Sequence, residues 1–298
     1  MYENLKIGFF GDGPWAQQFL NKILRSNDIS MSFVCTRYNF PDKELKKLAL
    51  KNKINVLVSK NVNSLNFIKK IRKHKADLFV SMSFNQIFKK EIIELPHKGI
   101  INCHAGKLPF YRGRSILNWV LINDEKEFGI TVHYINKQID SGDIILQKTF
   151  PINDNDDFNS LLNISYKECP KILYKSIKLI KHGKVKTVSQ KSIHKTGSYF
   201  KKRKKGDEII NWNQSSREIF NFVRALSKPG IVARTFLNGK RIMINKIDAT
   251  FIKSNSKNIP GKIANVKDDH FLVHAKDSVV KVTEWFTKDS IKQEEVFK

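Results

Sequence analysis

The stretch 5–24, LKIGFFGDGPWAQQFLNKIL, decides the fold. Its first part, Leu5–Phe10, is a short apolar run that breaks at Gly11-Asp12-Gly13-Pro14. Its second part places Trp15, Phe19, Leu20, Ile23 and Leu24 at helical spacing. The order predicts a strand, a tight glycine turn and a helix, with Pro14 suited to the first helical position, where no N–H is needed. The pattern then repeats. Met31–Cys35, Ile54–Val58, Asp77–Met82 and Gly99–Cys103 read as strands, and Asp42–Lys51 and Val62–Lys75 read as helices between them. Such alternation predicts an α/β architecture, a parallel sheet with helices on both faces. Sheets of this kind bind ligands at the carboxyl ends of their strands, so functional residues are expected just after each strand.

Further along, Ser115–Ile122 reads as a helix. Gly129–Tyr134 and Ile144–Pro151 read as strands that pair around the turn Asp140-Ser141-Gly142-Asp143. Phe158–Lys181 carries a long helical pattern. The acidic run Asp154-Asn155-Asp156-Asp157 suits its N-terminus, and Lys181, His182 and Gly183 suit its end. Pro170 lies inside it and predicts a kink or a division. Residues 184–206 are polar, basic and poor in core residues, which reads as a linker. The expected domains are therefore 1–204 and 205–298. In the second, Ser215–Ser227 reads as a helix, followed by short β-like runs at Val232–Leu237, Arg241–Ile247, Gly261–Val266, Phe271–Ala275 and Ser278–Trp285. Those runs predict a small β-rich domain, a barrel or an open sheet.

Composition bounds the function. With 298 residues, 41% of them hydrophobic and 28% charged, the chain can bury full cores without staples. Cys35, Cys103 and Cys169 are far apart with no C-x-x-C, which excludes a disulfide scaffold and a structural zinc site and fits a reducing cytoplasm. The N-terminus has no signal-peptide pattern, and no run approaches the ~18 apolar residues of a membrane span, so a cytoplasmic protein without membrane contact is expected. The net charge of +26 attracts anions. Only ten of the 54 basic residues are arginine, the residue that reads phosphates and bases best. A lysine excess spread through every segment reads as compositional drift and argues against nucleic acid as partner. The one strong basic block, Lys201-Lys202-Arg203-Lys204-Lys205, reads as a solvated linker, though it keeps a tRNA-binding reading open.

The densest chemistry lies in 100–109, IINCHAGKLP. A strand there delivers Asn102 and His104 to one face, two residues apart, at the end broken by Gly106 and Pro109. An Asn amide can donate to a developing oxyanion, and a His can exchange a proton near neutral pH. Asp140, in its glycine turn, is a carboxylate suited to fixing the His104 tautomer. Taken alone, N-x-H is better accounted for by Asn102 as a loop cap and His104 as a satisfied core histidine. His133, on a strand among apolar neighbours, is read as structural.

The longer string is more specific. Asn102-x-His104, then Leu108-Pro109, Tyr111-Arg112-Gly113, Gly129-Ile130-Thr131-Val132-His133 and Asp140-x-Gly142, resembles the signature of the 10-formyltetrahydrofolate-dependent formyltransferases. The resemblance covers nearly the whole chain. It implies a Rossmann-like catalytic domain, a smaller β-rich, OB-like C-terminal domain, and Asn102, His104 and Asp140 as catalytic residues. Residues 112–121, RGRSILNWVL, and 8–15, GFFGDGPW, resemble the branch acting on nucleotide-linked amino sugars such as dTDP-4-amino-4,6-dideoxyglucose or its 3-amino isomer. That branch implies a role in surface polysaccharide, O-antigen or lipopolysaccharide synthesis, and its members suggest a homodimer. The alternatives are a methionyl-tRNA formyltransferase and, outside enzymes, a basic nucleic-acid-binding protein on the same fold.

N10-formyltetrahydrofolate is then the formyl donor, and neither a metal nor a dinucleotide cofactor is expected. The resemblance implies that the segment after the fourth strand lines the folate pocket through backbone groups, so Met82, Phe84, Gln86 and Ile87, with Asp140, are the candidate folate contacts; Phe84 and Ile87 also read as core. For the sugar nucleotide the candidates are Gly13 and Trp15 in the first glycine turn, which offers N–H groups to an anion. Lys107, Tyr111, Arg112 and Arg114, after the Asn102 strand, are the other candidates, with a solvated loop as the alternative.

Overall fold

The structure is a computed structural model that describes residues 4–248 and 259–298. The elements run β1 (Leu5–Gly11), α1 (Pro14–Leu24), β2 (Ile29–Thr36), α2 (Lys43–Lys51), β3 (Asn55–Val58), α3 (Leu65–Arg72), β4 (Leu78–Met82), α4 (Lys90–Ile93) and β5 (Ile100–His104). Next come β6 (Arg112–Gly113), α5 (Ile116–Ile122), β7 (Glu127–Tyr134), β8 (Ile144–Pro151), α6 (Phe158–Lys181), α7 (Gln190–Ile193) and β9 (Tyr199–Phe200). The remainder is α8 (Ser216–Ala225) and strands β10 (Ala233–Leu237), β11 (Lys240–Ile247), β12 (Ile263–Val266), β13 (Phe271–His274) and β14 (Val279–Phe286).

Two compact units emerge. One holds the chain up to Gly113 with Gly129–Phe150 and Asn163–Tyr199; the other holds Arg114–Phe128, Pro151–Leu162 and Phe200–Lys298. The sequence predicts a single division at 204/205. The compact units divide at 199/200 and also place two earlier segments with the C-terminal residues.

The first unit is built on a sheet of order β3-β2-β1-β4-β5-β7-β8. Strands β3, β2, β1, β4 and β5 are parallel, and β7 runs antiparallel to β5. Central β4 is buried along its whole length, as a parallel strand covered on both faces must be. Phe10, Phe33, Phe79 and Phe88 form the heart of one core, with Phe10 edge-on to the other three. Helix starts follow local chemistry: Asp42 caps α2 by accepting from Leu45 N–H at 2.8 Å, and Ser64 caps α3 by accepting from Phe67 N–H at 3.3 Å. α3 is shorter than the 62–75 the sequence predicts: it opens after the Ser64 cap and ends at Arg72, while Val62 N–H is taken by the Gln86 side chain. α6 runs unbroken through Pro170, contrary to a division there; buried Cys169, Ile172, Leu173 and Ile177 anchor its inner face on either side of the proline position.

The second unit has an antiparallel sheet of order β10-β11-β14-β13-β12. Its last residues join both edges: Phe236 and Lys298 exchange backbone hydrogen bonds on β10, while Glu295 accepts from Ile263 N–H on β12. The tail therefore closes the sheet toward a small barrel, removing two exposed edges. α8 carries a full capping box at Ser215 and Glu218 and buries Ile219, Phe220 and Val223 against the sheet. In the basic block, the Arg203 guanidinium turns inward over Trp119 (5.6 Å) and Phe222 (5.5 Å), leaving the four lysines exposed. No helix among the described residues is long and apolar enough to cross a membrane.

The same unit carries an ionic cluster with a pH consequence. Arg217 Nε lies 3.2 Å from both Asp124 oxygens, and its Nη2 is 2.7 Å from Asp154. The Arg217 guanidinium, helped by Lys126 and opposed by partial burial, holds the Asp124 carboxyl down to about 2, from an ordinary 3.8. A carboxyl lowered on folding stabilises the fold above its unfolded pKa and loses that contribution as pH falls toward the folded value. Between pH 4 and pH 2 the Tm of the wild type should thus fall more steeply than that of Asp124→Asn. A gap between the two melting curves that stays constant across that window would show that the pair contributes nothing.

Candidate functional site

The sheet register assembles the site. β5 delivers Asn102 and His104 to one face, and the antiparallel pairing sets Asn102 opposite His133 and His104 opposite Thr131. His133 Nδ1–H donates to the Tyr134 carbonyl at 2.8 Å, which leaves Nε2 facing the Asn102 amide nitrogen at 3.4 Å. Thr131 Oγ1 donates to the Gly106 carbonyl at 2.7 Å, and Gln147 Nε2 donates to the Leu108 carbonyl at 2.8 Å. These bonds hold the loop that follows His104.

Asp140 completes the cluster. Its Oδ2 lies 3.7 Å from His104 Nδ1 and its Oδ1 lies 3.6 Å from His133 Nε2, so one carboxylate faces two imidazoles. The Gly113 N–H donates to Oδ2 at 2.9 Å. Burial alone would push this carboxyl up. The charge of a protonated His104, the contact with His133 and the Gly113 N–H outweigh burial and hold it well below the usual carboxylate range. Asp140 is therefore ionised at neutral pH.

The His104 tautomer has a different source from the one expected. Nε2–H donates to the Tyr111 carbonyl at 2.7 Å, so the backbone fixes the proton there and turns Nδ1 toward Asp140. The sequence assigns that task to Asp140, whose oxygen stands beyond hydrogen-bond length. The sequence also presents His133 as structural. His133 is 1% exposed, as a core histidine would be, yet it belongs to the charged cluster.

The candidate substrate and folate residues divide. Tyr111 is 8% exposed with φ +57, and its side chain is buried while its carbonyl serves His104. Arg112 turns inward: Nε and Nη2 donate to Gln190 Oε1 at 3.0 and 2.7 Å, and Nη1 donates to the Thr196 carbonyl at 2.9 Å. Lys107 sits half-buried in the loop after β5, and Arg114 is exposed in the second unit. Gly13 caps α1, and Trp15 packs edge-on to Tyr166 at 5.2 Å. Met82 is buried at the end of β4, and Phe84 stacks on Phe88 as part of the core. Gln86 is engaged on both sides, accepting from Val62 N–H and donating to the Ser59 carbonyl. Ile87 is 60% exposed.

Two ties around the site were not legible in the sequence. Arg37 Nε donates to the Ser83 carbonyl at 3.0 Å, and buried Asp12 accepts from the Arg37 and Asp42 N–H groups. The loops after β1, β2 and β4 are thus bound together at their carboxyl ends. The other tie is Gln190, in the segment read as a linker. Among the described residues, no group of three or more His, Cys, Asp or Glu is arranged to hold a metal ion.

The formyl transferase family matches residues 5–177, and the formyl transferase C-terminal domain matches residues 202–298. The chain is 38% identical over 221 residues, 74% of its length, to the bifunctional polymyxin resistance protein ArnA of Wigglesworthia glossinidia brevipalpis, and spans 33% of that protein. It is 36% identical over 248 residues to a methionyl-tRNA formyltransferase of Fusobacterium nucleatum subsp. nucleatum, covering 80% of this chain and 78% of that one. WlaRD, a sugar 3N-formyl transferase crystallised in the presence of dTDP and 5-N-formyl-THF, superposes with a TM-score of 0.69 and 26% identity over 96% of this chain and 99% of that one. An N-formyltransferase from Helicobacter canadensis, 24% identical with a TM-score of 0.69 over 95% of this chain and 100% of that one, shares the fold. With an Asn and two His on adjacent strands of its sheet, an ionised Asp in the turn that follows, and the family's pattern matched over residues 5–177 and 202–298, this protein belongs to the formyl transferase family.

Proposed function

We propose that this formyltransferase moves the formyl group of N10-formyltetrahydrofolate onto the primary amine of a dTDP-linked amino-dideoxyhexose, for surface polysaccharide synthesis. The observation that carries the chemistry is the single carboxylate of Asp140 set against His104 and His133 beside Asn102. The amino-sugar acceptor is supported by the likeness to WlaRD, a sugar 3N-formyl transferase, across 96% of the chain at 26% identity.

In this reading the neutral amine attacks the formyl carbon, a C–N bond forms, and the carbonyl oxygen becomes an oxyanion. Asn102 Nδ2 donates to that oxyanion, a contact whose loss typically costs ~10²–10³ in rate. The proton released by the amine enters the pair made by His104 Nδ1 and the Asp140 carboxylate. Nε2–H stays on the Tyr111 carbonyl throughout, so the ring gains its second proton without turning. The same pair returns a proton to N10 as its bond to the formyl carbon breaks, giving a formamide and tetrahydrofolate. Holding the two substrates side by side supplies much of the remaining acceleration.

A second reading, formylation of methionyl-tRNA, is favoured by the 36% identical relative and by the charge of +26. One assay separates them. The protein is incubated with the formyl donor and, separately, dTDP-4-amino-4,6-dideoxyglucose, its 3-amino isomer, UDP-aminoarabinose and methionyl-tRNA. The expected result is the mass of one added CO on a dTDP-sugar, with kcat/KM at least about 100-fold above that for methionyl-tRNA, a gap of about 2.7 kcal/mol at the transition state. Formylation of the tRNA alone would overturn the sugar reading.

A further inference from the structure

We infer that Gln190 is a positioning residue of the formyl-transfer site, and that the segment 188–198 is part of the catalytic apparatus. The inference rests on the formyl-transfer reading of Asp140. Gln190 lies between the two family matches, which end at 177 and resume at 202, and no motif singled it out.

The geometry is specific. Gln190 is 1% exposed, and its amide is satisfied on every side. Nε2 donates to the Asp140 carbonyl at 2.9 Å and to the Gly142 carbonyl at 2.8 Å. Oε1 accepts from Arg112 Nε and Nη2 at 3.0 and 2.7 Å. A primary amide has two N–H donors and two acceptor lone pairs, and here all four are used. The clamp grips the turn that carries the carboxylate from one side and the loop after β5 from the other.

The turn needs a clamp. Asp140 holds φ +49, a left-handed conformation that is strained for a non-glycine residue and persists only where the surroundings impose it. Gly142 is pressed against the chain: a Cβ there would stand 1.8 Å from the Tyr134 carbonyl oxygen. The rest of the segment follows the same course. Val188 exchanges backbone hydrogen bonds with Ile144, the Thr196 carbonyl takes Arg112, and Ser198 Oγ accepts from Tyr111 N–H at 3.0 Å. Tyr111 is the residue whose carbonyl fixes His104. One strap thus holds the backbone behind both members of the proton-carrying pair.

The discriminating variant is Gln190→Glu. It keeps the size of the side chain and an acceptor for Arg112, but removes both donors and sets a negative oxygen against two carbonyls. The expected result is a fall in kcat of about 10–100-fold with both KM values within about threefold, since the site is loosened and no substrate contact is lost. Hydrogen exchange in a peptide covering 139–143 should become faster by a similar factor, and Tm should fall by only a few degrees. Exposed Lys186→Ala, just outside the segment, serves as the control and should leave every one of these readouts unchanged. Wild-type kcat in Gln190→Glu, or exchange at 139–143 no faster than in the wild type, would overturn the inference. So would a loss that raises both KM values and lowers Tm in proportion, the mark of a purely structural role. Should the glutamate variant fail to fold, Gln190→Ala, where water fills the space, is read by the same measurements. The exchange readout needs no acceptor, so it tests the clamp even if every acceptor tried were inert, a result that would count against the formyl-transfer reading instead.

Discussion

Asp140→Asn is expected to lower kcat by about 10³–10⁴-fold with the fold intact. The amide matches the carboxylate in shape, and its oxygen can still accept the Gly113 N–H that now meets Oδ2 at 2.9 Å. What disappears is the charge, which stands 3.7 Å from His104 Nδ1 and 3.6 Å from His133 Nε2. Without it, a proton arriving on Nδ1 creates a buried imidazolium with no counter-charge, a costly state in a low-dielectric site. An asparagine also turns a donor NH₂ toward an imidazole, whereas the carboxylate accepts only. In serine proteases the corresponding carboxylate-to-amide change beside an active-site imidazole costs about 10⁴ in kcat, which sets the scale. Stability should change little, because removing a buried charge offsets the lost attraction. The check is kcat for the preferred acceptor alongside thermal unfolding by circular dichroism. Activity within tenfold of the wild type would remove Asp140 from the proton path. Since burial is outweighed and the carboxyl lies well below its usual range, Asp140 stays ionised as pH falls through 5, and an acid limb of the rate profile near neutrality belongs to another group.

What the sequence made legible was local. Asn102 and His104 fall on one face because a strand repeats every two residues, and the Asp140 turn announces itself by its glycine. Strand and helix positions in both units follow from apolar periodicity, and caps such as Ser64 and Ser215 are short-range chemistry. The missed features are non-local. His133 joins the cluster through the β5–β7 register, which pairs it with a residue 31 positions away. Arg112, in a basic loop after a strand, looks like a phosphate ligand, yet its fork is taken by a glutamine 78 positions on. A polar stretch such as 184–206 carries no periodic signal, so nothing in its composition separates a solvated linker from a strap with a buried amide. Pro170 is a milder case: the sequence shows the break in hydrogen bonding, and the packing around buried Leu173 and Ile177 decides that the helix continues.

Gly106→Ala should lower kcat by about 10²–10³-fold, although Gly106 touches no substrate atom in the proposed mechanism. An added Cβ would stand 2.5 Å from His104 Nε2 and 2.6 Å from the Tyr111 carbonyl oxygen. Those two atoms are themselves bonded at 2.7 Å, so the methyl group would wedge into the bond that fixes the His104 tautomer. Relief by side-chain motion is blocked on one side, because the Tyr111 oxygen is backbone, held by Tyr111 N–H on Ser198 and by φ +57. The imidazole must therefore swing. Once Nε2–H leaves its acceptor, Nδ1 no longer faces Asp140, and the proton path is broken at its first step. A displacement of about 1 Å is enough to cost 10²-fold in rate. Overpacking by one methyl costs typically 1–3 kcal/mol, or roughly 2–10 °C in Tm for a chain of this size, so folded protein should remain for assay. The resonance of the His104 Nε2–H proton gives a direct view: in the wild type it should exchange slowly with water, and in Gly106→Ala it should broaden or vanish. A variant that retains both that signal and wild-type kcat would mean that the Tyr111 carbonyl does not govern the histidine, and that His104 works through a ring orientation other than the one the fold now holds.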